Sequence, residues 1–240
     1  MTLYERAPRL GGQVLLAQML PGREEFGGLV SNLGREVALA GVEVRTGLEV
    51  TADLVRTEAA DVVIVATGAI SFMPDIKGRD DAHVVDAWQV INNEANCGSR
   101  VVIADWRGDW IGLGLAEMLV REGCHVRLCS VANAAGVNVQ HYVRDHWIGE
   151  LSRLGVQFIP YARLYGADGK TVYFQHTATE EPLECPDTDT LVVSYGHQSV
   201  TKLSDALVDW EGEVHSIGDA LSPRTAEEAI LDGLKVASLI

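Results

Sequence analysis

The stretch VVIADWRGDWIGLGLAEML, residues 101–119, joins an apolar strand to an amphipathic helix through a short loop. A turn of this form places unpaired helix N–H groups at a sheet edge, where they can hold a phosphate. The usual glycine pattern for that task is G-x-G-x-x-G, which lets the backbone approach a dinucleotide closely. Here Arg107 and Asp109 occupy the first two glycine positions, and only Gly112 remains. A carboxylate there repels a pyrophosphate. The sequence therefore predicts a strand–loop–helix turn that does not bind phosphate.

The next strand, HVRLCSV, supports the same interpretation. It ends without the acidic residue that would hold the ribose of NAD. It also lacks a basic cluster for the extra phosphate of NADP, because Arg127 stands alone. We therefore expect no NAD(P) at this turn.

A second candidate site lies in LYERAPRLGGQ at the start of the chain. Its predicted strand ends at Glu5, and a carboxylate in that position can accept hydrogen bonds from both ribose hydroxyls. The pair Gly11-Gly12 lets the backbone come close to a ligand, because neither residue has a Cβ atom. A surface glutamate followed by a glycine turn would explain the same residues.

Two further strands end in small or acidic residues. The apolar strand VIVATG delivers Thr67 and Gly68 to the C-terminal edge of a sheet, and HSIGD delivers Gly218 and Asp219 to an edge of the same kind. Thr225 and Glu228 have the spacing of a capping box at the start of the last helix. The N-terminus of that helix would offer N–H groups and a positive dipole end to an electron-rich ligand. Each stretch alone is explained equally well by packing.

Strands and helices alternate along the chain, which predicts an α/β fold with parallel sheets. The pattern starts afresh at Arg100, after the polar stretch INNEANCGS, so two Rossmann-like lobes are expected. We assign residues 1–92 and 196–240 to an incomplete FAD-binding-like lobe. Residues 100–195 then form an inserted NAD(P)-binding-like lobe.

Composition excludes several classes of function. The net charge is −15, from 34 acidic and 19 basic residues, which disfavours binding to nucleic acid and to anionic membranes. No apolar run is long enough to span a bilayer, and the N-terminus lacks the features of a signal peptide. The four cysteines show no C-x-x-C spacing, so we expect free thiols, no metal site and a cytoplasmic location.

Taken in order, these stretches resemble the C-terminal nucleotide-binding portion of the trimethylamine dehydrogenase and 2,4-dienoyl-CoA reductase family, which are Old Yellow Enzyme-like flavoproteins. The resemblance covers essentially the whole chain. It rests on TLYERAPRLGGQ, VIVATGA, LAEML and SIGDALSPRTAEEAI as an ordered set.

The resemblance implies roles for individual residues. Glu5, next to Arg6, would hold the ribose of an adenine nucleotide, either FAD or ADP. Asp219 would bond the ribitol chain of FAD. The remaining positions would line the nucleotide and flavin, and they are Gly11, Gly12, Gln13, Thr67, Gly68, Gly218 and the backbone of Ala226. No residue of this chain is implied to be catalytic.

The resemblance also implies that a strand with G-x-G-x-x-G and a barrel carrying FMN, a 4Fe-4S cluster and the substrate site precede such a portion. We therefore expect a part of a longer enzyme that retains FAD weakly or not at all when alone; a free-standing small protein is the rival interpretation. The parent enzyme would dehydrogenate or demethylate an N-methyl amine or amino acid and pass electrons to an electron-transfer flavoprotein. An NAD(P)H-dependent enoyl reductase and a non-catalytic adenine-nucleotide module remain alternatives, and homo-oligomers are possible in each case.

Overall fold

The computed structural model describes residues 1–240, which fold into two units. The first unit comprises residues 1–18, 25–70 and 197–240, and the second comprises residues 19–24 and 71–196. The chain therefore leaves the first unit, builds most of the second and returns. The predicted α/β class with parallel strands is confirmed. No helix is both long and apolar enough to cross a membrane.

The first unit contains two separate pairs of parallel strands. Strands β1 (Thr2–Glu5) and β2 (Glu43–Thr46) form one pair, and β3 (Val62–Val65) and β14 (Glu213–Ser216) form the other. The short strands β4 (Ala69–Ser71) and β13 (His197–Ser199) also pair. Its helices are α1 (Val14–Ala17), α2 (Phe26–Leu39), α3 (Ala52–Glu58), α7 (Lys202–Ala206) and α8 (Ala226–Ala237).

The core of the first unit is small. Val55, Val65, Leu207 and Ala220 form its cluster of buried apolar residues, and Trp210 packs against them. Neither α2 nor α8 contains a buried residue. Parallel strands are normally covered on both faces, so two isolated pairs leave apolar surface exposed.

The second unit is built on a five-stranded parallel sheet in the order β5-β12-β6-β7-β8. Its strands are β5 (Val84–Asp86), β6 (Arg100–Asp105), β7 (His125–Ser130), β8 (Gln157–Ile159) and β12 (Thr190–Ser194). Its helices are α4 (Ala87–Ile91), α5 (Trp110–Arg121) and α6 (His141–Arg153). The central strand β6 is covered on both faces, as its continuous apolar run predicts: Val101, Val102 and Ile103 are all 0% exposed.

A three-stranded antiparallel sheet packs against the five-stranded one. It consists of β9 (Ala162–Asp168), β10 (Thr171–His176) and β11 (Pro182–Cys185). Phe174 of β10 and Val172 beside it share a buried cluster with Val102 and Val193. The segment TVYFQH, rich in β-branched and aromatic residues, predicts a strand, which is β10, but the sequence did not predict the antiparallel order.

The division between the units differs from the predicted one. Residues 19–24 and 196, which the sequence assigns to the first lobe, lie in the second unit, and so do residues 71–92. The reason is that β5 pairs in parallel with β12, so it forms an edge of the five-stranded sheet. Asp86 then caps α4 through a capping box with Gln89. A strand of three residues is too short to show a periodic pattern, which is why the sequence did not reveal it.

Candidate nucleotide-binding site

The first unit brings three distant segments together around Gln13. The Gln13 side-chain Nε2 donates a hydrogen bond of 3.0 Å to Oδ2 of Asp219, which lies 206 residues further along the chain. A Cβ atom at Gly68 would lie 3.8 Å from the same Nε2. The predicted residues of the glycine loop, of the β3 end and of the β14 end therefore lie at one place.

The two loop glycines have different roles. A Cβ atom at Gly11 would lie 2.8 Å from Cγ of Leu15, so packing against α1 requires the glycine. Gly12 has a φ of +50° and is exposed, and a Cβ atom there would meet nothing within 4 Å. The backbone at Gly12 thus faces open space that a ligand can occupy.

Glu5 ends β1, and its carboxylate is partly used by the protein. Oε1 accepts a 2.7 Å hydrogen bond from the N–H of Ala7, which fixes the side chain over the following turn. Oε2 has no protein partner and remains free to accept from a ligand hydroxyl. The neighbouring Arg6 is exposed. The predicted ribose contact of Glu5 stays a prediction that this geometry permits.

Asp219 organises the loop that follows β14. Its Oδ1 accepts from the N–H of Arg224 at 3.0 Å, while Ser199 Oγ donates to its backbone oxygen at 2.7 Å. Both carboxylate oxygens therefore already hold one protein donor each, and each retains a lone pair for a ligand. The adjacent Gly218 is buried, and its N–H donates to Oδ2 of Asp232.

Helix α8 begins next to this loop with the predicted capping box. The carboxylate of Glu228 accepts from the N–H of Thr225 at 3.0 Å and from its hydroxyl group. These hydrogen bonds lower the pKa of Glu228, so it is ionised at neutral pH. Ala226 is the first residue of the helix, and its N–H has no partner within the helix.

Thr67 is tied to the backbone of the returning chain. Its hydroxyl donates to the carbonyl oxygen of Val200 at 2.6 Å, and the N–H of Val200 donates to the Gly68 carbonyl at 3.0 Å. The Thr67 hydroxyl thus fixes the end of β3, and Gly68 is held beside Gln13.

The turn after β6 in the second unit is closed by its own carboxylates. Asp105 ends β6 and is 2% exposed. Its Oδ1 accepts from the N–H of Gly108 at 3.1 Å, whereas its Oδ2 has no hydrogen-bond partner. A Cβ atom at Gly112 would lie 2.5 Å from that Oδ2, so the carboxylate lies directly against the first turn of α5.

Asp109 occupies the remaining space at the start of α5. Its Oδ1 accepts from the N–H of Ile111 at 2.9 Å, and its Oδ2 accepts from Nε of Arg107 at 2.9 Å. Gly108 packs closely on Val137, and its carbonyl accepts from the N–H of Asn138 at 2.8 Å. Protein groups therefore use N–H groups that a phosphate would otherwise contact.

Burial changes the acidity of Asp105. Loss of solvent and, after it, the nearby charge of Asp109 raise its pKa to about 7, although the N–H groups of Gly108 and Arg107 act in the opposite direction. The sequence places Asp105 in this loop with Arg107 and Asp109 but missed its role, since a polar residue ending an apolar strand was the only available signal. No group of three or more His, Cys, Asp or Glu side chains is arranged to hold a metal ion.

The fold is that of the FAD- and NAD(P)-binding oxidoreductases. The chain belongs to the pyridine nucleotide-disulphide oxidoreductase family, which matches residues 1–221. The resemblance to the C-terminal portion of the trimethylamine dehydrogenase and 2,4-dienoyl-CoA reductase group is thereby confirmed.

Individual relatives agree with this assignment. The chain is 28% identical over 240 residues to a bilirubin reductase from Mediterraneibacter gnavus, covering 99% of this chain and 36% of that protein. It is 29% identical over 162 residues to a probable N-methylproline demethylase from Rhizobium meliloti, covering 68% and 24%. The histamine dehydrogenase structure from Rhizobium sp. 4-9 superposes with a TM-score of 0.90 at 21% identity, covering 98% and 39%. The chain thus spans about a third or less of the length of these curated relatives.

Proposed function

We propose that this chain holds the FAD of an enzyme that dehydrogenates or demethylates an N-methyl amine or amino acid. We further propose that the electrons pass to an electron-transfer flavoprotein and not to NAD(P). The observation that carries the choice of acceptor is the turn after β6, where Asp105 and Asp109 lie against the start of α5. The similarity to a probable N-methylproline demethylase supports the substrate class.

The first unit fits an FAD molecule at several of its groups. Oε2 of Glu5 is free to accept from the hydroxyls of the adenosine ribose, and Gly12 faces open space. Asp219 and Gln13 present a fixed polar pair for the ribitol chain, and the Ala226 N–H lies at the positive end of α8. FAD, when bound, supplies a carrier that accepts and returns electrons.

The residues of this chain orient the cofactor and do not act on the substrate. Gln13 holds the glycine loop to Asp219, and Asp219 in turn holds the Arg224 backbone. The proposal places the oxidation of the amine, and any FMN or iron–sulfur cluster, outside residues 1–240. The small-molecule substrate would accordingly contact another part of the enzyme.

Two alternative functions have specific support. An NAD(P)H-dependent reductase is favoured by the similarity to a bilirubin reductase across nearly the whole chain. A non-catalytic module that keeps ADP as a structural ligand is favoured by Glu5, because its free oxygen would hold the ribose of ADP as well as that of FAD. The three functions differ in whether flavin is bound and whether NADH reduces it.

We predict that the chain does not bind NADH or NADPH saturably at micromolar concentrations. The physical reason is that Asp105 and Asp109 occupy the phosphate-binding end of α5. Trp106 and Trp110 flank the turn, so quenching of tryptophan fluorescence provides the measurement. Saturable quenching, or bleaching of bound flavin by NADH, would contradict the proposal and support the reductase. Bound ADP in a colourless preparation would support the module.

A second prediction concerns the flavin site. Replacing Gln13 with alanine removes the amide that would face the ribitol chain beside Asp219. We expect FAD affinity to fall on the order of tenfold, since one hydrogen bond contributes about 0.5–1.5 kcal/mol. Titration of the whole enzyme that contains this chain with FAD, followed by flavin fluorescence, measures this. The control is Gln140→Ala in the second unit, where the glutamine makes no capping bond. Equal FAD affinity in the wild type and Gln13→Ala would show that FAD does not use this site.

A further inference from the structure

The second unit contains two buried thiols that the nucleotide sites do not use. Cys129 of β7 and Cys185 of β11 have their Sγ atoms 3.9 Å apart, although 56 residues separate them in the chain. Their exposed fractions are 0% and 2%. Because β7 belongs to the five-stranded sheet and β11 to the antiparallel sheet, the pair lies where these two sheets pack together.

We propose that Cys129 and Cys185 form a redox-active pair that a hydroperoxide converts reversibly into a disulfide linking the two sheets. The proposal is independent of the flavin and NAD(P) assignments. The sulfur atoms must approach by about 2 Å to reach the bonding distance of a disulfide, which side-chain rotation can supply.

The surroundings give the two sulfurs different roles. A hydrogen bond from the Cys129 thiol and the nearby Arg127 guanidinium lower the pKa of Cys185. Burial raises the pKa of Cys129 well above its usual value. Cys185 is therefore the sulfur that is ionised first and attacks, and Cys129 is the sulfur that resolves the product.

Arg127 is well placed to support the Cys185 thiolate. Its Nη2 donates to the carbonyl oxygen of Pro186 at 2.5 Å and to Oγ1 of Thr188 at 3.2 Å. These acceptors are neutral, and no carboxylate forms an ion pair with Arg127. The positive charge is thus available to a thiolate formed at Cys185.

The chemistry balances with a hydroperoxide as the oxidant. The Cys185 thiolate attacks the terminal peroxide oxygen, the O–O bond breaks, and the leaving alkoxide or hydroxide takes a proton to become an alcohol or water. The sulfenic acid at Cys185 is then attacked by the sulfur of Cys129, which loses its proton as the S–S bond forms and water leaves. Two thiols lose two electrons and two protons in total, and a small dithiol reverses the change.

A groove lies beside the segment that follows Cys185 in the chain, although neither sulfur of the pair lines it. It has a volume of about 670 Å³, and Arg127, Pro186 and Asp187 contribute to its lining. Pro186 and Asp187 directly follow Cys185 in the chain. A hydroperoxide that enters the groove thus meets the segment that carries the attacking sulfur.

The other two cysteines form a natural comparison. Cys97 and Cys124 are both half-buried, and burial raises the pKa of each, that of Cys97 to about 11. No arginine lowers the pKa of either thiol. The thiol of Cys124 donates a hydrogen bond to the carbonyl oxygen of Gly98. Cys97 and Cys124 are more exposed than Cys185, but their raised pKa keeps them protonated, and a protonated thiol reacts slowly. We therefore expect both to remain thiols.

The experiment treats the folded chain with hydrogen peroxide and locates any disulfide by peptide mass mapping. We expect one Cys129–Cys185 bridge, full reversal by dithiothreitol, and an increase in Tm on the order of 5–10 °C from closing this loop. The Cys97→Ala/Cys124→Ala variant should behave like the wild type. The Cys129→Ser variant keeps a hydrogen-bond donor to Cys185 but cannot form the bridge, so it should instead accumulate a sulfenic acid at Cys185 that dimedone labels.

Two outcomes would overturn the proposal. One is a wild-type chain that keeps Cys129 and Cys185 as thiols after peroxide treatment, which thiol counting in denaturant detects without any variant. The other is a bridge between Cys97 and Cys124 in place of the predicted one. Dimedone labelling of Cys97 or Cys124 ahead of Cys185 would contradict the assigned order of reactivity.

Discussion

Raising the pH from about 4 to about 7 should lower the free energy of unfolding of the second unit by about 3–4 kcal/mol through Asp105 alone. The folded carboxyl has a pKa of about 7, whereas its ordinary value is 3.8. Each unit of difference corresponds to about 1.4 kcal/mol. The burial of Asp105 justifies applying the full difference, because the group is 2% exposed.

The sign follows from the protons bound in each state. Between pH 4 and 7 the folded Asp105 keeps its proton, while the unfolded carboxyl has lost it. Unfolding then releases a proton, so a higher pH favours the unfolded state. Above pH 7 the carboxylate is ionised in both states, and no further loss from this residue is expected.

Urea unfolding at a series of pH values, followed by tryptophan fluorescence, measures this effect. Other groups titrate in the same range, so the informative quantity is the difference between the wild type and Asp105→Asn, which has no ionisable group there. The charge of Asp109 raises the pKa of Asp105. In Asp109→Asn, the Asp105-dependent loss of stability should therefore end at a lower pH than in the wild type. Asparagine remains a good helix N-cap, so α5 should persist.

A matched control is Asp145→Asn on the exposed side of α6, where the carboxylate pairs with Arg144. This variant should keep the pH dependence of the wild type. If Asp105→Asn also keeps it, then Asp105 is not the group that titrates, and the closed turn after β6 has been described incorrectly.

Local signals in the sequence predicted the parts of the site that depend on neighbouring residues. The spacing of Thr225 and Glu228 predicted a capping box because both partners lie in one helical turn. The apolar run before Asp105 predicted a buried parallel strand, which β6 is. In both cases the interaction is set within a few residues of chain.

Interactions across the sheets were outside the reach of such signals. Nothing in the local pattern pairs Gln13 with Asp219, or Cys129 with Cys185, because each pair meets only after the sheets have formed. The role of Asp105 was missed for a similar reason. Its unpaired Oδ2 depends on the side chain turning toward Gly112, and a pattern of apolar residues does not encode that direction.

Replacing Gly218 with valine should destabilise the first unit by about 2–4 kcal/mol and weaken FAD binding at the same time. Gly218 has a φ of +58°, and a left-handed conformation costs a branched residue at least 1–2 kcal/mol. A Cβ atom there would lie 3.2 Å from Cβ of Ala229 in α8, so the valine methyl groups overpack this contact. FAD binding should weaken as well, because Asp219 is the next residue and a strained backbone at position 218 would displace it.

Hydrogen exchange of peptides from β14 and α8 measures the stability change, and titration with FAD measures the binding change. Gly233→Ala is the control within α8, where the added Cβ makes ordinary contact with Ile217 at 3.9 Å. A glycine in a helix interior is less favourable than alanine by up to about 1 kcal/mol, so this variant should slow exchange. If Gly218→Val speeds exchange but leaves FAD affinity unchanged, the loop around Asp219 supports the fold of the first unit without contacting the flavin nucleotide.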